Sequence, residues 1–194
     1  MRIIAGNWRG RLLEPLYKEP GRRGKLHRAI RPTSDKVRGA IFNILAHGTW
    51  PHPPLHEAAR VLDGFCGSGA LGFEALSRGA SFVLFLDNSA AALTLAKENA
   101  KSLNALGHCA FELRDLSKPQ RWKAEPFDLI FLDPPYHKEL APQALRILEE
   151  GGFIAPQVTA VIETSKIESL DTPSGWNLHT RRLWGDTAAH FLVR

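Results

Sequence analysis

A chain of 194 residues, 44% apolar and 23% charged, is long enough to bury a self-sufficient core and too apolar to be a disordered tail. No run approaches the roughly 18 apolar residues of a membrane span, and the Arg-rich start has no apolar signal segment, which sets membrane and secreted classes aside. The net charge of +5 is unevenly placed: residues 1–38 hold eleven Lys/Arg against three Asp/Glu, and residues 39–194 hold fourteen against seventeen.

Met1 to Glu14 sets short apolar pairs, Ile3-Ile4 and Leu12-Leu13, around Gly6-Asn7-Trp8-Arg9-Gly10. This reads as a β-hairpin or ribbon with a glycine-flanked turn. Residues 15–30, with Gly21-Arg22-Arg23-Gly24-Lys25, read as a basic loop. Eight of the eleven cations in residues 1–38 are arginine, which grips phosphate bidentately, so the arm carries the footprint of polyanion binding. Arg9, Arg11, Arg22, Arg23, Lys25, Arg31 and Arg38 are the candidate RNA contacts. Ser34 and Asp35 then offer helix N-cap chemistry, and Val37, Ile41, Ile44 and Leu45 form a helical stripe through about Ala46. Trp50-Pro51-His52-Pro53-Pro54 forbids regular structure; it is a linker, and His47, His52 and His56 around it belong to a solvated loop. The chain therefore divides into a basic extension, 1–48, and an α/β body, 49–194.

The body alternates. Strands are expected at Arg60–Asp63, Phe82–Asp87, Ala110–Arg114, Phe127–Leu132 and Thr159–Glu163, with helices at Ala70–Arg78, Ala90–Leu106 and about Leu140–Glu150. Alternation implies a parallel sheet covered on both faces. Two closing runs, Asn177–Leu183 and Ala188–Val193, are joined too tightly to be anything but antiparallel. Cys66 and Cys109 lack metal-ligand spacing, so two reduced thiols in a cytosolic protein and no metal are expected.

Two motifs carry chemistry. Asp133-Pro134-Pro135-Tyr136 follows the fourth strand. Its prolines end the strand at a stiff corner, at the carboxyl edge where open α/β sheets bind ligands. A carboxylate, a proline carbonyl and an aromatic ring at one point suit a planar group bearing an exocyclic amine. The second motif is Val61 to Leu76, where Asp63 precedes Gly64, Phe65, Gly67 and Gly69. Gly67 to Gly72 matches G-x-G-x-x-G, and Asp87 lies eighteen residues past Gly69, so a dinucleotide site has to be weighed. Asp63 ahead of the glycines would repel a pyrophosphate, yet it suits an ammonium. A glycine loop preceded by Asp, then an acid after the next strand, suits S-adenosylmethionine (SAM), which carries hydroxyls and an ammonium but no phosphate.

D-x-F-x-G-S-G followed by D-P-P-Y resembles the amino-group methyltransferases. Met1 to Leu13, Arg31 to Leu45, Asp63 to Ala80 and the closing WGDTAAHFLVR narrow the resemblance. They are similar to the bacterial RsmD-type family, which methylates a guanine exocyclic amine (N2) of small-subunit (16S) ribosomal RNA. The resemblance covers nearly the whole chain. It implies a Rossmann-like SAM-dependent methyltransferase fold of seven mostly parallel strands in the order 3-2-1-4-5-7-6, the last antiparallel, with an N-terminal hairpin and helix added. It implies SAM as cofactor, held by Asp63, Gly64, Phe65, Gly67, Gly69, Asp87, Asn88, Asp115 and Leu116, and a target base held by Asp133, Pro134, Pro135 and Tyr136. The partner would be small-subunit ribosomal RNA or the assembled subunit, met by a cytoplasmic monomer. Two departures stand out. Phe85 occupies the place where relatives carry a ribose-binding Glu, leaving Asp87 or backbone for that role, and Gly39 replaces a frequent Glu. Three other readings remain: a DNA adenine methyltransferase, a non-catalytic RNA-binding assembly protein, and a nicotinamide-dependent oxidoreductase. The first is disfavoured because only 58 residues follow Tyr136, too few for a DNA-reading domain.

Overall fold

Apolar runs flanked by glycine and polar turns become parallel strands when both faces are covered, and four such runs build the centre of this sheet. The computed structural model describes residues 1–15, 34–56, 58–135 and 140–194. In chain order the elements are α1 (Asp35–His47), β1 (Arg60–Gly64), α2 (Ala70–Ser77), β2 (Phe82–Asp87), α3 (Ala90–Leu103), β3 (Cys109–Leu113), β4 (Phe127–Leu132), α4 (Leu140–Glu150), β5 (Ile154–Ser165), β6 (Asn177–Trp184) and β7 (Thr187–Val193). The sheet order is β3-β2-β1-β4-β5-β7-β6, with β7 antiparallel to both neighbours. This is the order and polarity the resemblance implies.

Two boundaries differ from expectation by three residues or more, each for a local reason. α3 stops at Leu103 because Asn104 takes a left-handed conformation, φ 58°, and caps the helix; a single 3-10 turn, Leu106–His108, follows. β5 begins at Ile154, five residues earlier than the apolar run suggests. Pro156 is tolerated there because the β4–β5 register shifts between Phe127 and Leu129.

Side chains pack on both faces. On one, α1, α2 and α3 cover Val61, Val83, Phe85, Leu129 and Phe131; on the other, α4 covers Leu62, Leu84, Ile130 and Ile162. The amino-terminal ribbon joins the first core. Ile3 and Leu13 are buried there beside Phe42 and Phe73, so the extension shares the body's core. Backbone bonds Ile3 N to Arg11 O (2.9 Å) and Leu13 N to Met1 O (3.0 Å) close the ribbon, with one bridge, Arg2 to Leu12. Ser34 caps α1 as the sequence suggests, its side chain accepting from Val37 N.

His190 on β7 lies buried, its Nε2 3.0 Å from Thr164 Oγ1. Burial first, and the nearby Arg181 charge second, bring its pKa down to about 4. The unfolded chain therefore binds a proton that the folded one refuses between that value and the ordinary value near 6.5. Stability contributed here is full above about pH 6.5 and falls as the pH drops towards 4, by at most about 1.4 kcal/mol per pH unit. Urea midpoints across that window should fall in the wild type and flatten in His190→Gln.

Candidate active site

Parallel register brings the functional residues to one edge. Gly64 pairs with Leu86 on one side and Leu132 on the other, so Asp63, Asp87 and Asp133 all stand at the carboxyl ends of three adjacent strands. Asp63 is only 2% exposed, and its Oδ2 accepts from Gly72 N at 2.8 Å, inside the first turn of α2. Burial pushes its pKa well up; the Gly72 amide opposes this, and the charges of Asp133 and Asp87 add to it. A cation brought to this point would hold the group as a carboxylate.

The loop between β1 and α2 is shaped for close approach. Gly67 (φ +54°) has open space where a Cβ would stand, with no atom within 4 Å. Gly69 (φ +80°) is required by packing, since a Cβ would lie 2.6 Å from Phe73 Cε2 and 2.9 Å from Phe85 Cε1. Gly64 fits beneath Leu132 and Leu116, which a Cβ would meet at 2.8 and 3.0 Å. Phe65 holds φ 60° without being glycine, a strained conformation of the kind stored at functional loops. Its ring packs on the α4-side core.

Asp87 anchors this loop. Its Oδ2 accepts from Gly67 N and its Oδ1 from Ser89 N, both at 2.9 Å, with Asn88 exposed beside it. A ribose hydroxyl at Asp87 would share oxygens already engaged by backbone. Phe85 explains the departure two positions earlier: fully buried, it sits 4.7 Å from the Phe73 ring and 5.1 Å from Phe111. Asp115 is turned into its own loop, Oδ1 accepting from Ser117 N (3.0 Å) and Ser117 Oγ (2.6 Å). Those bonds, the hydroxyl first, hold its carboxyl below the usual range. Leu116 is buried against Gly64.

At the end of β4, Asp133 is half-buried, Pro134 buried and Pro135 exposed; Tyr136 lies outside the described residues. Both prolines border a cavity of ≈ 650 Å³ that runs between α4 and the end of β5, past Arg146, Glu163 and Thr164.

The basic residues divide. Arg9 and Arg11 are exposed on the ribbon, and the Arg11 guanidinium donates to Ser102 O at the end of α3. Arg22, Arg23, Lys25 and Arg31 lie outside the described residues. Arg38 is not the phosphate contact that its charge suggests. Its side chain is 0% exposed and sits in an ion pair with Asp35 at 2.9 Å, while also donating to Arg2 O. Glu74, likewise 0% exposed, is 3.8 Å from its Nε. Charge alone places Arg38 at the surface, because nothing local announces its buried partner. The one signal is a Glu on the apolar face of α2.

The chain is 38% identical over 191 residues to the ribosomal RNA small subunit methyltransferase D of Haemophilus influenzae, covering 95% of this chain and 89% of that one. It is 34% identical over 195 residues to the Escherichia coli protein of the same name, covering 100% and 90%. A solved structure of a candidate methyltransferase from Escherichia coli superposes with a TM-score of 0.77 at 30% identity, over 100% of this chain and 97% of that chain. The model of the family described as "Conserved hypothetical protein 95" matches residues 1–193. From first strand to last, this chain belongs to that family, in which the small-subunit ribosomal RNA methyltransferases D stand.

Proposed function

We propose that this protein transfers a methyl group from SAM to the exocyclic amine, N2, of a guanine in small-subunit ribosomal RNA. The observation that carries the reading is the placement of Asp133-Pro134 one strand from the glycine loop, close enough for the Asp133 charge to act on Asp63. The donor set fits SAM. Asp63 is a buried acid that gains from a cation, Gly67 leaves room for a ligand, and the carboxylates Asp63 and Asp87 disfavour a phosphate-bearing alternative. Asp63, Gly64, Phe65, Gly67 and Gly69 would hold its amino-acid part; Asp87, Asn88, Asp115 and Leu116 would hold its nucleoside.

When bound, SAM supplies a sulfonium methyl, already a strong electrophile. The remaining task falls to this chain. A guanine amine is a poor nucleophile because its lone pair is delocalised into the ring. Hydrogen bonds from the NH₂ to the Asp133 carboxylate and the Pro134 carbonyl favour a pyramidal nitrogen and aim its lone pair. Positioning supplies much of the acceleration. The proton leaves after the nitrogen becomes cationic, to Asp133 or water, so no strong base is needed. Tyr136 would stack on the unpaired base, worth about 1–3 kcal/mol. A ribosomal substrate places the enzyme in the cytoplasm.

The test is label transfer from SAM to three substrates in parallel: small subunits lacking the modification, naked small-subunit RNA and duplex DNA. Label in either RNA sample supports the reading, and label in DNA alone overturns it. The basic arm gives a second expectation. Replacing Arg22, Arg23 and Lys25 together should weaken RNA binding and flatten the slope of log K against log salt, by about 0.7–0.9 for each phosphate no longer neutralised. An unchanged slope would mean that this segment does not touch phosphate.

A further inference from the structure

Asn99 is a buried amide on α3, 2% exposed, and it ties together three separate segments. Its Oδ1 accepts from Glu14 N at 2.9 Å. Its Nδ2 donates to Glu14 O at 3.2 Å and to Ser68 O at 3.0 Å. With Glu14 it pairs as a neighbouring strand would, through both donor and acceptor. Ser68 lies in the glycine loop, and the reason its carbonyl needs Asn99 is specific. Were α2 to begin one residue earlier, Gly72 N would donate to Ser68 O; Asp63 takes that donor instead, at 2.8 Å. Asn99 satisfies the acceptor that this leaves behind. Asp63 and Asn99 together therefore fix where the helix starts, and hence the shape of the loop from Gly67 to Gly69.

Glu14 is the other end of this link. It directly follows the bond that closes the ribbon, Leu13 N to Met1 O, and Arg9 and Arg11 stand exposed on that ribbon. A second contact reinforces the attachment, since the Arg11 guanidinium donates to Ser102 O one turn further along α3. Ser102 Oγ in turn donates to Asn99 O at 2.9 Å.

We propose that Asn99 is a positioning residue that couples the glycine loop to the amino-terminal ribbon, so that SAM at the loop and RNA at the exposed Arg9 and Arg11 of the ribbon bind cooperatively. The inference rests on the methyltransferase reading above. Coupling of this kind is reciprocal: whatever factor RNA adds to cofactor affinity, the cofactor adds to RNA affinity.

The experiment measures the dissociation constant of S-adenosylhomocysteine, which cannot react, without and with saturating naked small-subunit RNA. The wild type should bind it at least about fivefold more tightly with RNA present. In Asn99→Ala the two constants should agree within about twofold, while Leu103→Ala, a cavity in the same helix at a side chain that cannot hydrogen-bond to the loop or to Glu14, should keep the wild-type ratio. A wild-type ratio of one overturns the coupling; so does a ratio kept by Asn99→Ala, or abolished equally by Leu103→Ala. Should Asn99→Ala fail to fold, hydrogen exchange on the wild type decides. S-adenosylhomocysteine alone should slow exchange at the Glu14 amide, and an unchanged rate overturns the proposal. Failure of S-adenosylhomocysteine to bind under any condition would instead overturn the methyltransferase reading.

Discussion

Asp133→Ala is expected to lower methyl transfer by about a hundredfold to a thousandfold, the range for removing one hydrogen-bonding group aimed at a reacting centre. Cofactor affinity should stay within a few-fold of the wild type. The electrostatics give the sign of any residual change. Asp133 raises the pKa of Asp63, so removing it favours the Asp63 carboxylate and works, if anything, towards tighter binding of a cationic ligand. Single-turnover rates and direct SAM binding separate the two quantities. A parallel collapse of SAM affinity would assign Asp133 to the cofactor instead of the target amine.

Glu74→Ala should be the most destabilising single change in the amino-terminal half. The Glu74 carboxylate accepts from Ile4 N (2.8 Å), Ala5 N (3.1 Å) and Arg78 Nε (2.8 Å), and it faces the buried Arg38. Its removal leaves a guanidinium buried with fewer counter-charges and two ribbon amides without acceptors. Breaking a buried pair from one side costs about 3–5 kcal/mol. The denaturant midpoint should fall accordingly, and trypsin should cut faster at Arg9 and Arg11 as the ribbon lifts. Replacing both charges, in Glu74→Leu with Arg38→Met, should recover part of the stability, because the stranded charge is then gone. A cost below about 1 kcal/mol for Glu74→Ala would show that water reaches Arg38 readily.

Much of this architecture is legible in the sequence because parallel strands buried on both faces read as apolar runs, and because glycine and proline punctuate their carboxyl ends. Phe82–Asp87 and Phe127–Leu132 coincide with the observed strands for that reason. The acids at the strand ends are legible too, since register alone brings Asp63, Asp87 and Asp133 to one edge. Side-chain partners are not. Asp115 has the same local sequence appearance as a ligand-binding acid, yet Ser117 two residues on engages its Oδ1. Arg38 and Glu74 are thirty-six residues apart, and Asn99 and Glu14 eighty-five, so no local pattern signals either pairing. Phe85 is a puzzle as a missing carboxylate and becomes intelligible as the aromatic wedge beneath Gly69 and Gly72.

The proposed reaction changes one nitrogen atom of the ribosomal RNA. Small ribosomal subunits lacking the modification should be incubated with methyl-labelled SAM, and their RNA digested to nucleosides and separated. All enzyme-dependent label should appear in guanosine methylated at its exocyclic amine, and Asp133→Ala should yield at least about a hundredfold less of it than the wild type. Label on a ring nitrogen, on a ribose hydroxyl or on another base would contradict the proposed reaction.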